Sequence, residues 1–103
     1  MLRFFKIVGS SMKPTLLPGD YVLASKIFKK VFSKNDIIIF LDSYCSYIIK
    51  KVLISRKNHL YLKSENNNTS SIFCEKPLNK KKVKYKVLFI LRLSKLKKYF
   101  INY

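Results

Sequence analysis

Short apolar runs alternate with turn signals along the whole chain. Residues 4–8 have strand length and lead into the turn Gly9-Ser10-Ser11. Residues 12–17 show no regular period, and Pro14 removes a ladder donor there. Pro18-Gly19-Asp20 is a turn signal, followed by a strand over residues 21–24. Residues 26–34 form a basic connection with room for one helical turn. Ile37–Leu41 is strongly apolar and rich in β-branched residues, which predicts a buried strand. Residues 47–54 make the next strand, 55–59 a hairpin turn, and 60–62 the return. Two polar stretches, 64–71 and 77–82, read as connections, and residues 84–91 as a closing strand. Short strands parted by turns at this spacing predict a mainly β domain, a small coiled barrel or sandwich. The end of the chain, 92–103, reads as a basic tail with Leu93, Leu96 and Phe100 on one side of a helical period. The expectation is one domain over 1–103, with its core at about 4–91 and the tail beyond it.

Composition supports folding. Hydrophobic residues make up 49% of the 103 residues, and Gly and Pro are few enough to mark defined turns. Lys and Arg number 22 against 5 acids, a formal charge of +17. That excess points to a negative partner, a nucleic acid or an anionic membrane surface. The basic residues are spread along the chain, and the abundance of Lys, Asn, Ile, Phe and Tyr matches AT-rich coding. Compositional drift therefore accounts for the charge at least as well, and a specific nucleic-acid partner is not expected. An anionic membrane surface remains a candidate partner for the basic tail. No apolar run approaches the roughly 18 residues that a spanning helix needs. The expected location is cytoplasmic or peripheral to a membrane. The pattern carries no signal for oligomeric state.

The candidate chemistry is sparse. Cys45 and Cys74 lie far apart and form neither a disulfide framework nor a metal site, so no metal and no cofactor is expected. The single histidine, His59, lies in a polar turn with no acid at useful spacing. Serine needs a base to become a nucleophile, and here the available base is a lysine. On a strand over 47–54, Lys50 points with Ile48 and Val52 while Lys51 points with Ile49 and Leu53. One lysine of the pair faces inward and the other outward. An inward lysine is desolvated, which favours the neutral amine that a base requires. Two lysines snorkelling from an edge strand are the structural alternative.

The segment Gly9-Ser10-Ser11-Met12-Lys13-Pro14-Thr15-Leu16, followed by Gly19-Asp20 and the strand through Leu23, resembles the nucleophile segment of type I signal peptidases. Asn35-Asp36-Ile37-Ile38-Ile39-Phe40 is similar to that family's next box, and Ile49-Lys50-Lys51-Val52 to the box that carries its base. Residues 84–89 resemble its closing strand, so the resemblance runs from about 4 to about 91. It implies a coiled β fold and a Ser-Lys dyad, with Ser11 as nucleophile and Lys50 as general base. It also implies an oxyanion site built on the Ser11 backbone N–H, with Gly9 where some members carry a serine, and a substrate pocket lined by Met12. Ser70 falls where the family has a serine that hydrogen-bonds the lysine. The buried Asp and Arg of that last box are absent here.

The activity so implied is a serine endopeptidase that removes an N-terminal signal peptide or propeptide from a precursor protein. The precursor would bind as an extended strand at a sheet edge. Anchor-free members of the family include proteases that mature nickel superoxide dismutase, which suggests a dedicated propeptide as the second substrate class. Ser64-Glu65-Asn66 also resembles the self-cleaving repressors of the SOS response. About ten residues precede Ser11, so self-cleavage is not expected. Two alternatives stand beside the peptidase: a basic module that binds nucleic acid or a membrane surface, and a peptidase homologue that has lost turnover.

Overall fold

The computed structural model describes residues 1–63 and 76–92. Seven strands make one antiparallel sheet: β1 (Leu2–Lys6), β2 (Tyr21–Lys26), β3 (Ile37–Leu41), β4 (Tyr47–Ser55), β5 (His59–Lys63), β6 (Leu78–Asn79) and β7 (Val83–Leu91). Their order across the sheet is β1-β2-β7-β3-β4-β5-β6. The mainly β fold class holds. Hydrogen-bonded closure into a barrel does not occur among the described residues, because the edges β1 and β6 do not pair. Side chains bring the sheet round on itself instead. Phe5 of β1 meets Tyr47 of β4 edge to face, with ring centroids 5.0 Å apart, although three strands lie between them in the sheet.

β3 holds the centre, paired with β7 on one side and β4 on the other. Alternation sends its residues to two cores. Ile38 and Phe40 pack with Val52, Leu60 and Val83. Ile39 packs with Ile7, Met12, Leu16 and Val22, and Ile37 lies against that group. A strand covered on both faces has no polar side to show, which is why this run is apolar throughout.

Several elements differ from the sequence expectation. β1 starts and ends two residues earlier, because its partner begins with Tyr21 opposite Lys6. The basic connection after β2 forms no helical turn; Lys30 Nζ instead donates to the carbonyls of Ile27 at 3.3 Å and Val83 at 2.8 Å. The connection before β7 holds the two-residue strand β6 and a 3-10 turn, Lys80–Lys82, capped by the Asn79 side chain. Cys45 is an exposed free thiol in the turn between β3 and β4. Cys74, Ser70 and the tail from 93 onward lie outside the described residues. No helix among the described residues is long and apolar enough to cross a membrane.

Candidate active site

The segment between β1 and β2 is a loop pinned at its base. Ile7 N donates to Asp20 O and Gly19 N to Ile7 O, each at 2.7 Å. Gly19 takes a φ of 92°, a conformation open to glycine and strained for most other residues. Inside the loop, Leu16 N donates to Met12 O at 2.8 Å and Lys13 N to Ser10 O at 3.2 Å, and the Lys13–Pro14 bond is cis. Met12 and Leu16 are the loop's anchors, both sunk in the second core. Their burial fixes Ser11, which is half-buried at the start of this turn.

Lys50 lies on β4 opposite Ile38 of β3. It is 4% exposed, while its neighbour Lys51 is half-buried. The strand thus turns one lysine of the pair inward, as its alternation requires. Among the described residues, Lys50 and Asp20 are the two buried charged side chains.

Ser11 and Lys50 line the same cleft, which has a volume of about 270 Å³. Gly9 and Met12 also line it, and Phe5, Ile7 and Tyr47 supply apolar wall. A side chain added at Gly9 would meet nothing within 4 Å, so a serine would fit there. His59 lies outside the cleft, exposed at the hairpin end of β5. The described residues contain no cluster of His, Cys, Asp and Glu that could hold a metal.

The sequence did not reveal how the loop is held from outside. Arg92, read there as the first residue of the tail, reaches back to it. Its Nη2 donates to Asp20 Oδ2 at 3.1 Å and to the Thr15 carbonyl at 3.0 Å, and its Nε to Asp20 Oδ2 at 3.2 Å. Leu17 N donates to the same carboxylate oxygen at 2.9 Å. Burial opposes ionisation of Asp20, but the bonds from Arg92 and Leu17 and the Arg92 charge outweigh it, and the carboxyl pKa lies below its ordinary value. An Arg at the end of an apolar strand carries no local signal of a partner 72 residues earlier.

Residues 2–87 match the peptidase S24-like family, described as Peptidase S24-like. The match covers most of the chain, and the chain belongs to that family. This gives the class of protein, a hydrolase of peptide bonds, and it falls within the superfamily that the motifs resemble. No curated protein matches the chain.

Proposed function

We propose that the chain is a serine endopeptidase of the Ser-Lys type that cuts an N-terminal signal peptide or propeptide from a precursor protein. The observation that carries this is the shared cleft: a serine on a pinned loop and a lysine 4% exposed on a strand face one apolar hollow. The unprotonated Lys50 amine takes the Ser11 hydroxyl proton as Oγ attacks the scissile carbonyl. The Ser11 N–H donates to the oxyanion. The new ammonium then gives its proton to the leaving amine, and water activated by the same amine releases the acyl group from Ser11. The ammonium formed from that water then gives its proton to the departing Ser11 Oγ, so each half of the cycle ends at the starting protonation.

The substrate would lie as an extended strand along the free edge of β1, whose following residues Ile7 and Val8 line the cleft. Met12 would floor the pocket beside the scissile bond, and Ser70 would support the lysine. A secretory precursor requires contact with a membrane, whereas a dedicated propeptide, such as that of a nickel superoxide dismutase, does not.

The test is incubation of wild type, Ser11→Ala and Lys50→Ala with a panel of precursors. Wild type alone is expected to cleave, with activity rising as pH increases because only the unprotonated amine accepts a proton. Inhibitors that need a catalytic histidine should have no effect. Cleavage that persists in Ser11→Ala would overturn the proposal.

A further inference from the structure

Arg3 stands against Phe5 and Tyr47, two residues that line the cleft, with its orientation already set. It shares a face of the chain with Phe5 and Ile7, two and four residues on, and both line the cleft. Its Nη1 donates to the Tyr47 hydroxyl at 2.8 Å. Its guanidinium carbon lies 4.9 Å from the ring centroids of both Phe5 and Tyr47. Tyr85 backs this pair, with its ring centroid 5.1 Å from that of Phe5.

A guanidinium carries five N–H donors in a rigid fork that suits a carboxylate. The Tyr47 hydroxyl takes only one of that set, and Arg3 is exposed. No carboxylate among the described residues is available to it. Asp20 is bound to Arg92 and Asp36 to Lys86, while Asp42 accepts the backbone amides of Tyr44 and Ser46. Stacking and the Tyr47 bond have therefore removed much of the conformational entropy that an Arg loses on binding an anion, with no carboxylate of the described residues in place.

We propose that Arg3 is a specificity residue that reads an acidic side chain in the substrate peptide. The proposal rests on the peptidase assignment of the same cleft. β1 is one of the two edges of the sheet among the described residues, and a peptide laid along it advances at the same rate per residue as the strand itself. Arg3 is four residues from Ile7, about 13 Å along an extended chain. The acidic residue therefore falls about four positions from the substrate residue beside Ile7.

The experiment uses the full chain and the panel of precursor peptides, with Glu, Gln or Lys placed at one position at a time. At one position Glu is expected to raise kcat/KM over Gln by about fivefold, the effect of a favourable exposed ion pair, and to act through KM rather than kcat. Arg3→Gln should erase that preference, Arg3→Lys should keep part of it, and Arg3→Glu should turn it toward Lys. A purely structural stacking role moves none of these preferences. Binding of the same peptides to Ser11→Ala supplies a second readout. Turnover without a Glu preference, or a preference that survives in Arg3→Gln, overturns the proposal alone. A Glu preference in binding without any turnover supports Arg3 and overturns the peptidase assignment. Absence of both binding and turnover overturns both.

Discussion

A carboxylate taken out of water stays ionised only if donors replace the solvent, and Asp20 has them from two directions. Leu17 N lies inside the loop, and Arg92 arrives from the end of β7. Removing one partner of such a pair leaves an uncompensated buried charge, which is far costlier than never having had the pair. Arg92→Ala is therefore expected to cost about 3 kcal/mol of stability. It should also lower kcat, since the Thr15 carbonyl and Asp20 both belong to the loop that presents Ser11. The pH dependence follows from the direction of the shift. The folded-state pKa of Asp20 lies below its ordinary value of 3.8, so the unfolded chain binds the proton more readily. The contribution is thus complete above the unfolded value and fades as pH falls through the folded one. Urea unfolding of wild type and Asp20→Asn should show a stability gap that is full at neutral pH and closes below about pH 4. A gap of equal size at both ends would mean that the carboxylate acts by shape alone.

Among the elements, β3 packs into both cores, with Ile38 and Phe40 in one and Ile39 in the other. Phe40 is 2% exposed and among the largest fully enclosed side chains. Phe40→Ala should cost about 4 kcal/mol in an unfolding measurement, near the upper range for a core truncation. A loss under about 1 kcal/mol would show that the sheet collapses around the vacancy. β3 was also the most legible element, with bounds at Ile37 and Leu41 read directly from its apolar run. The period of a strand also put one of two adjacent lysines inside, but that it is Lys50 was legible only through the family resemblance. Other features had no local signal. β6 is two residues long, shorter than any run that a period can mark. The approach of β1 to β4 depends on Phe5 and Tyr47 meeting across a curled sheet, a long-range geometry that alternation does not encode. The Arg92 clamp depends on the start of β2 lying beside the end of its antiparallel neighbour β7, with Tyr21 opposite Leu91. Strand order, rather than strand content, was the missing quantity.

The molecule as a whole carries a formal charge of +17, and its three described carboxylates are already engaged. Such a surface projects a positive potential beyond any single contact and speeds the arrival of negative ligands. It acts at a range where salt matters, since the Debye length is about 8 Å at physiological ionic strength. A local contact at Arg3 and this diffuse field are therefore separable. For a triply acidic peptide substrate, kcat/KM should fall about tenfold between low and moderately high salt, while a neutral peptide of the same core changes little. Arg3→Gln should leave that slope almost intact, because it removes one basic residue of 22. It should nevertheless lose the positional Glu preference at every salt concentration. If Arg3→Gln instead abolished the salt dependence, the field would be local to the aromatic lip of the cleft and the remaining lysines would contribute nothing to substrate capture. If neither peptide responded to salt, the excess charge would have no part in catalysis. The lysines would then be a property of composition, carried by a sheet whose proposed chemistry is confined to one buried amine and the loop that lines the same cleft.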